Sequence, residues 1–313
     1  MLAYILKRIA AVIPVMLLVA VFVFLLLRLT PGDPAAIIAG DAATPAQLER
    51  IREAMGLNQP IHIQFITWMG ALLQGDLGVS LISGVPVIDM MSQRLGPTIS
   101  IALLTITISV VLAIPMGVAA AWRRRSWIDY CVMSFSVLGF SMPVFLVGYL
   151  LLLLFAVNLG WLPVQGFTPI SKGIVPFLER AILPALTLAS IYIALIARMT
   201  RASMLEVLGE DYVRTARAKG AGERRVLFIH ALRNAAIPIV TIVGTGFALL
   251  ISGVVVTESI FNIPGIGRLT VDAVLARDYP VIQAMILLTS AIYVLINLLI
   301  DISYTIFDPR IRY

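Results

Sequence analysis

Long stretches without a single charged residue alternate with shorter polar segments along this chain. A helix needs about 20 apolar residues to cross a bilayer, so each long stretch is a candidate span. The longest, residues 130–171, contains Asn158, Gly160 and Pro163, which end the helix and leave one span. The pattern therefore predicts six transmembrane helices, at residues 9–27, 95–122, 130–157, 181–197, 234–257 and 279–300.

We expect an all-α integral membrane protein with a long external segment after the first span. In that segment, Thr44 and Gln47 have the spacing of a capping box that opens a helix. The apolar stretch 60–73 suits a helix that lies at the membrane surface. The chain then divides into three regions: the N-terminus with the first span (1–30), the external segment (31–97) and a five-span core (98–313).

The composition supports the membrane class and argues against other kinds of site. Hydrophobic residues make up 60% of the chain and charged residues 13%, with a mean hydropathy of +1.00. The single cysteine, Cys131, excludes an internal disulfide and suits a buried packing position. The two histidines, His62 and His230, are too few for a histidine-rich metal site.

The distribution of positive charge predicts how the chain sits in the membrane. The predicted topology puts 15 of the 23 Lys and Arg residues on the side of both termini, so that side is cytoplasmic. Asp301 then lies at the cytoplasmic end of the last span, close to Arg310 and Arg312. Topology explains the basic balance without nucleic acid, because no aromatic residues are interleaved with the charges for base stacking.

One polar loop, residues 198–236, carries eight of the 23 positive residues and cannot lie in lipid. Glu210 and Asp211 suit the start of a short helix, and Gly220 suits its left-handed end. Glu210 and Arg214 have the i,i+4 spacing of an ion pair. The loop thus predicts two short helices separated by a glycine break.

Val213, Ala216 and Gly220 form a stripe of small side chains on the first of these helices. The backbone of a partner protein can approach such a stripe closely, so the stripe is a candidate docking face. A loop that only sets membrane orientation is the alternative, because charge bias explains the Arg and Lys residues. That alternative does not explain the small side chains.

The order of residues in this loop resembles a known family. Residues 211–220, DYVRTARAKG, and 230–234, HALRN, are similar to the cytoplasmic EAA loop of ABC importer permeases. The similarity is greatest to the dipeptide/oligopeptide/nickel group, which includes glutathione permeases. TPGDP at 30–34, NIPGIG at 262–267 and DPRIRY at 308–313 also resemble that group, so the resemblance covers nearly the whole chain.

The resemblance implies a type I ABC importer permease architecture, in which this loop forms a coupling helix that sits in a cleft of an ATPase subunit. It implies a bacterial cytoplasmic membrane and, as partners, a second homologous permease, two cytoplasmic ATPases and a periplasmic or lipid-anchored binding protein. ATP and Mg are expected on the ATPases, because no glycine here is followed by the lysine of a phosphate-binding loop. The residues expected to couple to the ATPase are Glu210, Asp211, Tyr212, Arg214, Ala216, Arg217 and Gly220.

The fifth predicted span contains small residues and ends at Glu258. Small residues let helices pack closely, and they can equally line a path for a substrate. Ser252, Gly253 and Glu258 are therefore candidates for a translocation path. The substrate stays open among dipeptides, longer peptides, glutathione and chelated nickel, and the compact loop 158–180 favours the dipeptide or glutathione type by resemblance.

Two other classes of protein compete with a peptide-transporting permease. An intramembrane protease needs a His-Glu-x-x-His motif or a base within a span, and His62 and His230 both lie outside the predicted spans. An ion-coupled secondary transporter needs charged residues within its spans and repeated halves, and the sequence displays neither. We therefore expect a transport subunit with no catalytic residue and no metal site.

Overall fold

The computed structural model describes residues 2–29, 35–36, 44–54 and 56–307 of the 313-residue chain. Every regular element within these ranges is helical, which confirms the predicted all-α fold. The TPGDP stretch and the C-terminal DPRIRY lie outside the described residues. The helices, in chain order, are α1 (Leu2–Leu29), α2 (Pro45–Ala54), α3 (Ile61–Leu73), α4 (Val87–Trp122), α5 (Trp127–Ser141), α6 (Val144–Leu151, continued by a π-helix at Leu152–Asn158), α7 (Ile174–Leu208), α8 (Asp211–Ala218), α9 (Glu223–Arg225, a π-helix at Val226–Ala231, and Leu232–Asn234), α10 (Ala236–Gly253), α11 (Val255–Ile260), α12 (Ile266–Ala276) and α13 (Tyr279–Phe307).

Four helices are each long and apolar enough to cross a membrane: α1, α4, α7 and α13. Two bent pairs, α5 with α6 and α9 with α10, meet the same criterion when each pair counts as one span. The described residues thus contain four to six candidate spans. The six predicted spans correspond to counting both bent pairs.

Helix α7 extends far beyond the uncharged run 181–197 that predicted it. It has 35 residues and a length of about 52 Å at 1.5 Å per residue, which exceeds the roughly 30 Å of a hydrocarbon core. The uncharged run is its middle, and Arg198 and Arg201 lie on its C-terminal extension. The short apolar run is therefore part of a long helix that continues into the polar loop.

The third predicted span is not one straight helix. α5 and α6 are bent by 103° relative to each other at the break between Ser141 and Val144. Pro143 lacks a backbone N–H, and Met142 before it has the extended backbone (ψ 131°) that a following proline favours. The span predicted over 130–157 is therefore a broken one, because the uncharged run contains a proline break.

α4 and α7 pack along much of their length and form the centre of the protein. Gly117 of α4 makes the contact close, because a Cβ there would lie 2.6 Å from Thr200 Cβ and 2.7 Å from the Ala197 carbonyl oxygen. α10 and α13 pack beside this pair. The largest buried apolar cluster joins Ile101 of α4 to Leu250 of α10.

The segment 31–97 contains the two helices that its sequence predicts. Thr44 and Gln47 form the capping box, with the Thr44 N–H donating to Gln47 Oε1 at 2.9 Å and the Gln47 N–H donating to Thr44 Oγ1 at 3.4 Å. Helix α3 covers the apolar stretch and has no buried residue. Its Phe65 and Trp68 pack against Phe24 of α1, with ring centroids 5.1 and 5.6 Å apart.

Two single-residue predictions differ from the structure or fall partly outside it. Cys131 is exposed, so the prediction of a buried packing residue is wrong. Asp301 pairs with Arg8 of α1 at 3.1 Å, because α1 and α13 pack together. Arg310 and Arg312, its predicted neighbours, lie outside the described residues.

Candidate functional site

The polar loop folds into a helical hairpin, residues 211–234, which consists of α8, a turn and α9. Gly220 follows the end of α8 with a φ of +80°. A Schellman motif closes the helix: the Ala221 N–H donates to the Ala216 carbonyl at 3.1 Å, and the Gly220 N–H donates to the Arg217 carbonyl at 2.9 Å. The two short helices and the glycine stop predicted for this loop are confirmed. We refer to this unit as the α8–α9 hairpin.

The stripe of small side chains on α8 does not face outward as a whole. Val213 is fully buried, Ala216 is half-buried and Gly220 is exposed. Val213 faces inward because the π-helical part of α9 packs against α8. The predicted docking face is therefore wrong at Val213, and the outward surface of α8 is formed largely by polar side chains, including Asp211 and Arg214.

Polar contacts also join the two helices of the hairpin. The Asn234 side-chain amide donates to the Tyr212 hydroxyl oxygen at 2.8 Å. Arg217 contacts Glu223 with two hydrogen bonds, from Nε at 2.9 Å and from Nη2 at 3.4 Å. Partial burial, and to a smaller extent the charge of Glu210, raise the pKa of Tyr212 above its usual value. The hydrogen bond that Asn234 donates favours the ionised form of Tyr212 and opposes this rise.

The predicted ion pair between Glu210 and Arg214 is replaced by another. Arg214 Nη1 contacts Asp211 Oδ1 at 3.2 Å. Glu210 is the residue before the helix and has extended backbone (φ −71°, ψ 148°), so its side chain does not continue the helical stripe. The Glu210 carbonyl instead accepts the Val213 N–H at 3.1 Å.

The hairpin rests on the ends of three long helices. Leu227 and Ala231 of α9 belong to a buried apolar cluster that also contains Val118 of α4, Met204 of α7 and Ile239 of α10. Close-packed side chains transmit displacement with little compression. Through this cluster, α9 packs directly against α4, α7 and α10.

A buried ion pair joins α5 and α7 near the same end of the molecule. Arg201 of α7 donates to both carboxylate oxygens of Asp129, through Nε and, at 2.8 Å, through Nη2. The Arg125 backbone N–H donates to the same carboxylate at 2.9 Å. Arg125 has a φ of +62°, so the arginine-rich turn has a left-handed residue at the point where its backbone bonds to this carboxylate.

Glu258 lies in α11 and is buried. Thr98 Oγ1 donates to Glu258 Oε1 at 2.6 Å, and the Arg268 N–H donates to Oε2 at 2.8 Å. Thr98 in turn accepts the Ile266 N–H at 2.9 Å. A Cβ at Gly265 would overlap the carboxylate, so a larger residue there would displace Glu258 from its hydrogen bonds. These residues link α4, α11 and α12. We call them the Glu258 cluster: Thr98, Glu258, Gly265, Ile266 and Arg268.

The other candidates for a translocation path lie nearby in the chain. Ser252 and Gly253 end α10, and their side chains are outside the described part of the structure. A cavity of about 370 Å³ lies beside α10 and α11 and is lined by Tyr192 and Thr257, among others. In the described ranges, no group of three or more His, Cys, Asp or Glu side chains could hold a metal ion.

Several of these polar partners are not apparent from the sequence. Glu223 follows Arg217 by six positions across the glycine turn, so opposite charges flanking the turn were a usable signal. Asp129 borders an apolar run next to three arginines, which was a weaker signal. Asn234 and Thr98 carry no local signal, because their partners are distant in sequence.

Comparisons with known proteins agree on one family. Residues 113–313 match the family described as "Binding-protein-dependent transport system inner membrane component", and residues 1–102 match the corresponding N-terminal family. The chain is 54% identical over 310 residues, 99% of each chain, to a probable peptide ABC transporter permease protein of Sinorhizobium fredii. It is 50% identical over 313 residues to a putative peptide transport system permease protein of Brucella abortus, with 100% of each chain covered. It is 45% identical over 313 residues to a glutathione transport system permease protein of Salmonella paratyphi A, again with 100% of each chain covered.

Proposed function

Because the chain belongs to the family of binding-protein-dependent transport system inner membrane components, we propose that it is a permease subunit that moves small peptides inward, driven by ATP. It is a multi-pass membrane protein and a transport component. Its full-length similarity to peptide and glutathione permeases supports a dipeptide, oligopeptide or glutathione substrate. The observation that carries the proposal is the exposed, charged α8 helix, which is attached through α9 to the ends of three membrane helices.

The proposed complex contains a second homologous permease, two cytoplasmic ATPases and a periplasmic or lipid-anchored substrate-binding protein. The ATPases bind ATP and Mg, and this chain needs no cofactor of its own. Both termini face the cytoplasm of the bacterium. The excess of Lys and Arg on the side of the α8–α9 hairpin supports this orientation.

In this proposal, α8 is the coupling helix and inserts into a cleft of an ATPase. Its exposed residues make the contact, and Glu223 holds the Arg217 guanidinium in position before the partner binds. The half-buried and exposed small residues let the ATPase approach closely. Shape is supplied by Tyr212, Ala216 and Gly220, and charge by Glu210, Asp211, Arg214 and Arg217.

The mechanism is alternating access between two states of the permease pair. ATP-driven closure of the ATPases draws the two hairpins together, and hydrolysis releases them. The cluster shared by α9, α4, α7 and α10 makes these helices respond as a unit. ATP drives transport only if the ATPases stabilise the two states differently.

Co-purification and reconstitution test the proposal. The tagged chain is purified from its native membrane, its partners are identified by mass, and the complex is placed in liposomes with binding protein. We expect two ATPases, a second permease, and uptake of labelled dipeptide or glutathione that requires ATP. Recovery of the chain alone, with uptake that follows a proton or sodium gradient, would overturn the proposal. ATP-dependent uptake of a nickel chelate but of no peptide would overturn the substrate class.

A further inference from the structure

The arginine-rich turn, residues 123–126, joins α4 to α5 and takes no part in the proposed coupling. Its first three residues are Arg123, Arg124 and Arg125, and all three side chains are exposed. The Ser126 N–H donates to the Arg123 carbonyl at 3.1 Å and closes the turn. Three positive charges therefore lie within four residues, at the point where two candidate membrane spans meet.

The nearby carboxylate of Asp129 does not neutralise the turn. Arg201 of α7 donates to both of its oxygens, so its charge is balanced by α7. Arg125 contacts Asp129 through its backbone N–H, and Arg124 is attracted to Asp129 without forming an ion pair. Within the described ranges, none of the three arginine side chains of the turn forms an ion pair. The turn therefore keeps its three positive charges for a partner outside the chain.

The same contacts fix the backbone of the turn before any partner binds. Asp129 is 2% exposed and holds the Arg125 N–H at 2.9 Å, at a residue with a φ of +62°. Arg201 in turn holds the Asp129 carboxylate against α7. A surface whose backbone is already ordered loses less conformational entropy when it binds.

A tryptophan flanks the turn on each side. Trp122 ends α4 and is 45% exposed, and Trp127 begins α5 and is 73% exposed. The Arg123 guanidinium carbon lies 4.9 Å from the centroid of the Trp122 ring. Exposed tryptophans at the ends of membrane helices lie at the level of the lipid headgroups. The three arginines are therefore beside the phosphate groups of the bilayer.

We propose that the arginine-rich turn, together with its two flanking tryptophans, binds the phosphate groups of anionic phospholipids in the cytoplasmic leaflet. Guanidinium groups pair well with phosphate, and each Lys or Arg near an anionic leaflet strengthens binding about fivefold. The tryptophans favour lipid over a soluble anion, because they place the arginines at headgroup depth. The proposal rests on the proposed cytoplasmic position of the turn, but not on the peptide substrate.

Cys131 provides a local reporter for lipid binding. It is exposed, it is the single cysteine of the chain, and it follows Trp127 by four positions, one helical turn. A fluorophore is attached to Cys131 in the purified complex, after the cysteines of the partner subunits have been replaced by serine. The complex is placed in nanodiscs of phosphatidylcholine and phosphatidylglycerol, and one or the other lipid carries a nitroxide quencher near its headgroup. Quenching gives the local binding constant of phosphatidylglycerol relative to phosphatidylcholine.

Arg123→Gln combined with Arg124→Gln removes two charges and leaves Arg125 to keep the backbone of the turn. At about fivefold for each arginine, we expect the relative binding constant to fall roughly ten- to thirtyfold. Arg224→Gln combined with Arg225→Gln is the matched control. It removes the same charge from two exposed arginines of α9 that no tryptophan flanks in the sequence, and the constant should stay unchanged.

Three outcomes would overturn the proposal. A relative binding constant near one in the wild-type complex would do so, whether the turn has no affinity for the lipid or an ATPase covers it. An equal fall in the variant and the control would assign the preference to the overall charge of the complex. Loss of the preference when inorganic phosphate is added at constant ionic strength would assign the turn to a soluble anion.

These outcomes are separate from those that test the proposed function. Both leaflets of a nanodisc have the same lipid composition and are open to the same solution. The relative binding constant therefore depends neither on membrane orientation nor on peptide uptake. Equal melting temperatures of the variant and the control in phosphatidylcholine alone check that both are folded.

Discussion

The α8–α9 hairpin and the Glu258 cluster hold polar side chains in opposite ways. In the hairpin, Arg217 and Glu223 pair at the surface with side-chain exposures of 39% and 44%. In the Glu258 cluster, the carboxylate is buried and bound by Thr98 and by the Arg268 backbone. The hairpin leaves its charges accessible to another protein, whereas the Glu258 cluster satisfies its charge within the chain.

The two arrangements contribute differently to stability. An exposed ion pair contributes about 0–1 kcal/mol, because solvent and salt screen it. Removing one member of a buried polar network leaves its partners unpaired, and each unpaired group costs about 1–3 kcal/mol. The Glu258 cluster therefore holds α4, α11 and α12 in one arrangement. The ion pair of the hairpin, by contrast, contributes little to stability.

Gly265→Ala should have the largest effect on stability. The added Cβ overlaps the Glu258 carboxylate and forces the backbone or the carboxylate to move, so we expect a loss of about 3 kcal/mol. The apparent melting temperature of the purified complex measures this loss. Gly96→Ala, on α4 with nothing within 4 Å of its Cβ, is the control and should melt at or above the wild-type temperature. Equal melting of the two variants would contradict the packing of the Glu258 cluster.

Thr98→Val should have the second largest effect. The substitution keeps the shape but removes the hydroxyl that donates to Glu258 and accepts from Ile266, so we expect a loss of about 2 kcal/mol. The same melting measurement checks it. Thr105→Val, on the same helix with an unpaired hydroxyl, should be nearly neutral. If both valines destabilised equally, the hydrogen bonds of Thr98 would contribute nothing.

Gly220→Val should change coupling more than stability. A β-branched residue at a φ of +80° costs about 1–2 kcal/mol of local strain and disturbs the end of α8. We expect an intact complex whose substrate-stimulated ATP hydrolysis falls severalfold. Gly222→Val, at an ordinary φ of −65° with nothing near its Cβ, should keep the stimulation. If Gly220→Val kept the wild-type stimulation of ATP hydrolysis, the end of α8 would not be part of the docking surface.

Arg217→Ala should have the smallest effect on stability, within about 0.5 kcal/mol, because its pair with Glu223 is exposed. Glu223→Ala should match it, and the double variant should be no worse than either single one. The melting temperatures of the three variants test this, and substrate-stimulated ATP hydrolysis tests the coupling role of Arg217 separately. If Arg217→Ala lost as much stability as Thr98→Val, the hairpin and the Glu258 cluster would not differ in the way described here.

Local rules predicted the parts of the fold that neighbouring residues decide. The Thr44–Gln47 capping box and the Gly220 helix stop involve partners within five positions, so the sequence displays them directly. The uncharged runs predicted α1, α4 and α13, because a helix that crosses lipid must be apolar regardless of which helices it packs against.

Distant contacts explain what the sequence did not predict. Val213 faces inward because α9 covers it, and a stripe of small residues looks the same whether it is covered or not. The bend between α5 and α6 is different, because its cause, Pro143, is local and visible in the sequence, whereas the uncharged composition of the run gave no sign of it. Glu258 is buried by Thr98, 160 positions earlier in the chain, so its environment could not be read from its own segment.

Two hydrogen bonds whose partners lie far apart in the chain can form only late in the synthesis of the protein. Ser80 bonds to Asp278 across 198 positions, and Thr98 bonds to Glu258 across 160. The ribosome releases both acidic residues only when most of the helices have already entered the membrane. The segment that leads into α4 and the N-terminal part of α4 therefore lack these partners through most of synthesis, and the first third of the chain cannot form these contacts as a separate fragment.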